Sequence, residues 1–319
     1  MSAGSGAPSP AGRILVIKLG ALGDFIQALG PMQAIRRRHA GAHLALLTTP
    51  GFAGFAQSAG LFDEIETNGR PAWWRVDLWA HLFGWLNGRE FQRVYDLQTS
   101  RRSSFYLDLF LANLRPEWSG IARGCSHRHE NPQRDLMHTI ERQREQLRIA
   151  GIGDAAGADF SFLKGEIARF GLPPRFALLA PGGSAARVAK RWPAERYADL
   201  ARELKGRGVV PVVLGGWDEA APAAEIAKAG AGISLAGQTS LGDVADLARR
   251  AAGAIGNDTG PMHIIAGVGC PSLVLFSAAS DPALCAPRAP DSAPPVIVLR
   301  RDDLARLGAA EVAAAMALR

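Results

Sequence analysis

Short apolar runs alternate with stretches of helical period along almost the whole chain, and this alternation leaves few folds open. The runs at 14–19, 43–48, 93–97, 176–180, 209–214, 254–257, 273–276 and 296–299 read as strands buried on both faces. Between them, 194–205 and 241–250 repeat their apolar positions with a 3.6-residue period. Repeated β-α-β units of this kind specify an α/β fold with parallel sheets. The 319 residues leave room for two domains of about 150 residues each. Gly171-Leu172-Pro173-Pro174-Arg175 breaks any helix, and a new β-α series restarts at Phe176. The expected organisation is a leader at 1–12, a Rossmann-like domain at 13–170, a second at 171–301, and a last helix at 302–319. That helix carries Leu304, Leu307, Val312 and Met316 as its apolar positions.

Composition removes several classes of protein. Three cysteines, Cys125, Cys270 and Cys285, are too few for a disulfide scaffold, and without a C-x-x-C pair no zinc ribbon is expected. This usage suits a reducing cytoplasm. Residues 1–12 lack the basic and apolar regions of a secretory signal. Residues 259–280 contain no Asp, Glu, Lys or Arg, but glycines and prolines punctuate them, so they read as a buried helix followed by a buried strand. The net charge is +6, and the surplus leans toward the N-terminal half, with 19 Lys+Arg against 15 Asp+Glu up to Lys164. Such a balance fits anionic partners: phosphates, acidic sugars, nucleic acid or a membrane face.

Six constellations stand out. Lys18-Leu19-Gly20-Ala21-Leu22-Gly23-Asp24 follows the first strand, at the edge where open α/β sheets bind ligands. Asp24 there is either a helix N-cap or a general base. Pro181-Gly182-Gly183-Ser184 with Lys190-Arg191-Trp192-Pro193 is either a diphosphate cradle or a solvated loop. In 256–263, Asp258 and Thr259 open a helix through Gly260 and Pro261, followed by Met262 and His263. A helix N-terminus attracts anions, although Asp258 or Thr259 as a simple cap and His263 as a core histidine are the plainer readings. Glu219, after Gly215-Gly216, suits ribose hydroxyls or a cap. Trp73, Trp74, Trp79, Phe83 and Trp85 form either a helix packed on the sheet or an interfacial membrane contact. Arg101, Arg102, Arg115, Arg123 and Arg128 crowd the first domain, as solvated surface or as a face for an anionic acceptor. No G-x-G-x-x-G follows the first strand, and neither a P-loop nor G-x-S-x-G occurs in the chain.

Taken together, Leu22-Gly23-Asp24 with Pro31, Pro181-Gly182-Gly183-Ser184, Lys190-Arg191-Trp192-Pro193, Gly215-Gly216 with Glu219, Gly237-Gln238-Thr239-Ser240-Leu241 and Asn257-Asp258-Thr259-Gly260-Pro261-Met262-His263 resemble glycosyltransferase family nine. These are the ADP-heptose:lipopolysaccharide heptosyltransferases. Order and spacing match over nearly the whole chain. The resemblance implies a GT-B fold, two Rossmann-like domains facing across a cleft, with the last helix returning to the first domain. It implies an inverting enzyme with Asp24 as base. The donor, ADP-heptose, would meet Ser184, Lys190, Glu219, Thr239 and Asp258 through His263. The acceptor it implies, an anionic lipopolysaccharide inner core (lipid A–Kdo type), would meet Gly23, and the basic surface of the first domain offers it Arg101, Arg102 and Arg123. It implies no metal, no cofactor and no nucleic acid, and a cytoplasmic protein with peripheral contact to the inner membrane. The family's Phe-Gly-x-Thr-x-Pro turn is replaced here by 276–282, and 115–135 matches no family motif. The competing readings are a related transferase with another sugar or a protein acceptor, a sugar-nucleotide epimerase, and a non-catalytic nucleotide-binding module.

Overall fold

The computed structural model describes residues 12–153, 155–183 and 188–319; the expected leader lies outside them except for Gly12. The chain divides into two compact units, one ending at Ala158 and the other starting at Asp159. The first holds β1 (Arg13–Ile17), α1 (Leu22–Gln27), α2 (Leu29–Arg38), β2 (His43–Leu47), α3 (Pro50–Ala59), β3 (Glu64–Glu66), α4 (Val76–Asn87), β4 (Arg93–Asp96), α5 (Arg101–Phe105), β5 (Glu117–Gly120), β6 (His127–Arg128) and α6 (Thr139–Ile149). The second holds β7 (Phe176–Ala180), α7 (Ala194–Gly206), β8 (Val210–Val213), α8 (Ala220–Ala229), β9 (Ile233–Ser234), α9 (Leu241–Arg250), β10 (Gly253–Asn257), α10 (Gly260–Gly267), β11 (Ser272–Phe276), α11 (Pro282–Cys285), β12 (Ile297–Arg300) and α12 (Ala309–Ala315).

Each unit is built on one six-stranded parallel sheet, in the orders β3-β2-β1-β4-β5-β6 and β12-β11-β10-β7-β8-β9. Numbered within its own unit, each sheet runs 3-2-1-4-5-6, the doubly wound order whose ligand crevice opens where the order reverses. Those switch points lie between β1 and β4 and between β7 and β10. All eight expected strands are present, with bounds shifted by a residue or two. The four not foreseen (β3, β5, β6, β9) are short and carry Glu, Ser or His rather than an apolar run. Hydrogen bonding to a neighbouring strand makes them strands, and that pairing leaves no periodicity in the sequence.

Burial follows the pattern. Every residue of β7, β10 and β11 is buried, as a strand covered by helices on both faces must be. On α7, Tyr197, Leu200, Ala201 and Leu204 recur at helical spacing and are buried. In the first unit, Leu82, Trp85 and Leu86 of α4 pack with Leu15, Ile17, Leu47 and Val94 of the sheet.

Two boundaries differ from expectation. Residues 159–170 belong to the second unit, so the Gly171–Arg175 break does not divide the chain. Arg249 donates to the carbonyls of Phe160 (2.8 Å) and Leu163 (2.7 Å), and Asp246 accepts from Gly165 N at 2.8 Å. Asp243 accepts from Glu166 N (3.1 Å), from Arg169 Nη2 (2.8 Å) and from both N and Oγ of Ser240 (2.8 Å each). Burial pushes the Asp243 pKa up, but these donors outweigh it and hold the carboxyl below its ordinary range. The last segment was expected to return to the first domain. Instead Leu304, Leu307, Val312 and Met316 are buried in the core of the second unit, where α12 packs on α7. Its helix is shorter than expected, because a 3-10 turn at Leu304–Arg306 and Gly308 precede it.

Replacing Asp243 with Ala should lower stability by about 2–3 kcal/mol, since several half-buried hydrogen bonds, one of them from a charged arginine, are lost together. Amide exchange across 160–170 should rise; unchanged protection there would refute the anchoring role.

Candidate active site

The second sheet's switch point is organised by a buried asparagine. Asn257 closes β10, and its Oδ1 accepts from Trp192 N (3.0 Å) and Tyr197 Oη (3.1 Å). Its Nδ2 donates to the carbonyls of Pro181 (2.6 Å) and Gly182 (3.3 Å). One amide thereby holds the loop after β7, the Lys190–Pro193 segment and the start of α7. Trp192 is locked further by its Nε1 on Leu307 O (3.0 Å) and by an edge-on contact with Tyr197. The motif around Asn257 assigns it no role by itself. A polar residue closing an otherwise apolar strand was the available signal.

Lys190 ends a 3-10 turn and reaches Asp258, with Nζ 2.5 Å from Oδ2 and both side chains mostly buried. Thr259 stands at the N-cap position of α10 without a side-chain cap bond, and Gly260 and Pro261 form the first turn. Neither plain capping reading holds for this pair: Asp258 is engaged by Lys190, and Thr259 caps nothing. Met262 and His263 are buried on α10. Ser184 lies outside the described residues. Glu219 is committed to the loops, accepting from Gly183 N (3.0 Å) and Gly216 N (2.9 Å). A side chain at Gly182 would collide with that carboxylate. Thr239 is half-buried in the turn before α9, two residues after Gly237, whose N donates to Gly215 O at 2.9 Å. Lys190, Asp258, Glu219 and the Gly182-Gly183 loop thus form one connected group, at the end of the sheet where α10 presents its positive dipole.

The first sheet's switch point carries the acid. Asp24 lies in the first turn of α1, whose N-cap is Ala21 with no side-chain cap bond, so the capping reading fails and its carboxylate lines a cavity. The cavity measures about 770 Å³ and is also lined by Thr49, Phe52, Asn68, Arg70, Arg75 and Gln98. Gly20 holds φ at +125°, and a Cβ there would come within 2.7 Å of the Phe52 ring, so only glycine fits. Beneath the cavity, buried Lys18 donates to Leu97 O at 3.2 Å. Burial pushes the Lys18 ammonium down to about 8, while Asp24, foremost among the carboxylates, pulls it back up. Burial raises Asp96 to about 6, against hydrogen bonds from Thr99 and Gln98 and the charge of Lys18. The sequence signal of this buried pair is a lysine ending an apolar strand; Asp96 carries no local signal of its own.

The expected acceptor residues are spread out. Gly23 is in α1 beside Asp24. Arg101 is exposed at the start of α5. Arg102 is engaged: it donates to Pro71 O (2.7 Å) and lies over the rings of Trp73 (4.4 Å) and Trp79 (5.9 Å). Arg123 is exposed between β5 and β6.

Two outcomes follow from the buried charges. Lys190→Ala leaves Asp258 buried and unpaired, so stability should fall by about 3 kcal/mol. A Lys190→Met/Asp258→Asn double variant should recover most of that in a urea titration; no recovery would mean that the pair is not coupled. For Lys18 the folded pKa lies below the unfolded one. Between pH 8 and 10.5 the unfolded chain therefore holds the proton that the folded chain has released. Stability relative to Lys18→Met should then rise by up to about 3 kcal/mol as pH climbs through that window, and be lost as pH falls toward 8. A flat difference across the window would refute the burial of a charged Lys18.

Residues 79–293 match the family described as glycosyltransferase family 9 (heptosyltransferase). The match contains every proposed donor residue and excludes Asp24. Over 98 residues the chain is 34% identical to lipooligosaccharide heptosyltransferase 2 of Haemophilus influenzae, which is 29% of this chain and 28% of that protein. The chain thus spans less than a third of that relative's length. In fold it is similar to the glycosyl transferase family 9 structure from Veillonella parvula, with TM-score 0.77 and 21% identity over 95% of each chain. It is likewise similar to the E. coli ADP-heptose LPS heptosyltransferase II, with TM-score 0.72 and 19% identity over 95% of this chain and 97% of that one. With two doubly wound parallel sheets and a family match across about two-thirds of its residues, the chain belongs to glycosyltransferase family 9, the heptosyltransferases.

Proposed function

We propose that this chain is an inverting glycosyltransferase that moves heptose from ADP-heptose to a lipopolysaccharide inner-core acceptor of the lipid A–Kdo type. The observation that carries the reading is the complementary chemistry at the two switch points. In the first, an uncapped carboxylate lines an open cavity; in the second, a held lysine sits beside a helix N-terminus. Family membership and the ADP-heptose named for the E. coli relative support the donor.

In this reading the acceptor hydroxyl attacks the anomeric carbon opposite the departing ADP. The new C–O bond forms as the bond to the diphosphate oxygen breaks, and Asp24 takes the hydroxyl proton. General-base help of this kind is worth about 10²–10⁴-fold. The leaving diphosphate carries the negative charge. Lys190 has three N–H donors, of which Asp258 uses one, so it holds its position while serving a phosphate oxygen. The first turn of α10, at Thr259 to Pro261, adds the helix dipole, with Pro261 contributing no N–H. Met262 and His263 back that turn from the core. Glu219 shapes the Gly182-Gly183 loop next to Ser184, with Thr239 at the nucleoside end. Gly23, Arg101, Arg102 and Arg123 serve the anionic acceptor. An acceptor built on lipid A puts the enzyme at the cytoplasmic face of a membrane as a peripheral protein.

Calorimetric titration with ADP, UDP and GDP in EDTA should show selective ADP binding; preference for UDP or GDP would overturn the heptose reading. Asp24→Asn should keep ADP affinity within about twofold and lose roughly 10²–10⁴ in turnover. Turnover close to that of the parent would remove Asp24 as the base.

A further inference from the structure

Helix α4 is apolar on two sides. Its inner face, Leu82, Trp85 and Leu86, is buried in the core. A second stripe, Val76, Ala80 and Phe83, recurs at spacings of four and three and faces solvent. A surface helix ordinarily confines its apolar residues to one stripe; in α4 Asp77 and His81 are polar and exposed, yet a second apolar stripe stays uncovered beside the buried one. The chain leading into it adds Trp73 at 63% exposure, Trp74 at 79% and Val76 at 74%. Phe105 extends the surface, with its ring 6.5 Å from Trp73 and 6.0 Å from Trp79. At the far end, Asn87 ties α4 to Leu109 and Leu111, and Leu111 is again exposed. Scattered exposed apolar residues are ordinary, but a continuous aromatic face marks an interaction surface.

The surroundings indicate what covers it. Arg75, paired with Asp77, lies between Trp74 and Val76 in the chain, and Arg101 and Arg102 stand one turn before Phe105 on α5. Arg102 is built into the face, stacked on Trp73 and bound to Pro71 O. Trp73 in turn stacks on Trp79, whose Nε1 donates to Ala72 O at 3.1 Å. Aromatic side chains with a cationic margin are what an interfacial helix offers to anionic headgroups: rings at the acyl boundary, guanidiniums at the phosphates. The face is also continuous with the Asp24 cavity, because Arg70, Pro71, Ala72 and Arg75 line both.

We propose that Trp73, Trp74 and the outer stripe of α4 seat the first unit on an anionic phospholipid bilayer, so that a lipid-borne acceptor enters the Asp24 cavity from the membrane side. The entry route rests on the acceptor reading above; the bilayer contact does not. Trp74 and Val76 do not line the Asp24 cavity and are mostly exposed, so their replacement spares both the fold and the site.

The test is flotation of the full chain with vesicles of equal phosphatidylethanolamine and phosphatidylglycerol, and with phosphatidylcholine alone. The chain should float with the anionic vesicles and not the neutral ones, with a blue shift of tryptophan emission. Trp74→Ser/Val76→Ser should bind about tenfold more weakly while melting at the same temperature. Equal binding by both proteins, or no vesicle binding by the parent, would overturn the proposal. So would a parent dimer that the double variant abolishes, because a second copy would then be what covers the face. Transfer to an acyl-free acceptor in solution separates the two readings. If the variant matches the parent there but loses roughly tenfold on vesicle-borne acceptor, the membrane role stands. If neither protein transfers sugar while vesicle binding still depends on Trp74 and Val76, the acceptor reading fails and the bilayer contact survives.

Discussion

The arrangement of loops at the carboxyl end of the second sheet depends on satisfying one buried amide. Asn257 sits at zero exposure between β10 and the loop after β7, where an unpaired polar group would be costly. Its two donors and its oxygen are all taken, by Pro181, Gly182, Trp192 and Tyr197. Meeting them requires the Gly-Gly loop, the cationic segment and the start of α7 to stand in one arrangement. That arrangement delivers Lys190 to Asp258. Glu219 closes the loop from the other side through Gly183 and Gly216. A flexible glycine-rich turn becomes a fixed edge because each end is bound to a buried or half-buried side chain.

The first unit solves a related problem with charge. A lysine and an aspartate, Lys18 and Asp96, lie buried at the ends of neighbouring strands and shift each other's protonation in opposite senses to burial. Asp24 is part of the same field, so the base candidate sits over a buried cation rather than over apolar core. The glycine at position 20 lets the chain turn beside Phe52 and brings α1 to the cavity edge. The same cavity shares a wall with the segment that leads into the aromatic face of α4, through Arg70, Pro71, Ala72 and Arg75.

How much of this was legible in the sequence depended on whether the signal was local. The eight apolar strands were legible because a parallel strand covered on both faces needs an unbroken run. The short strands such as His127–Arg128 were not, because pairing alone defines them. The Gly-Pro start of α10 and the Lys-Arg-Trp-Pro turn were visible as motifs. The Pro173-Pro174 break looked like a domain boundary because backbone chemistry does end a helix there. The true division lies earlier, because Asp243 and Arg249 hold 159–170 to the second unit through contacts some 80 residues apart. Helix α4 was read as either packed or interfacial; its inner face is packed, and its outer stripe is left open.

The sequence by itself determined the class of fold, the pair of domains and the residue types offered at each strand end, since periodicity and turn chemistry are properties of neighbours along the chain. Only the tertiary structure decided the strand order, and with it that β1 and β4, and β7 and β10, place their following loops side by side. It also decided that Asp24 caps nothing, that Lys190 is held by Asp258, and that the last helix is buried on α7. Each of these rests on a contact between residues distant in the chain, where burial and hydrogen-bond satisfaction choose among partners that local sequence leaves equivalent.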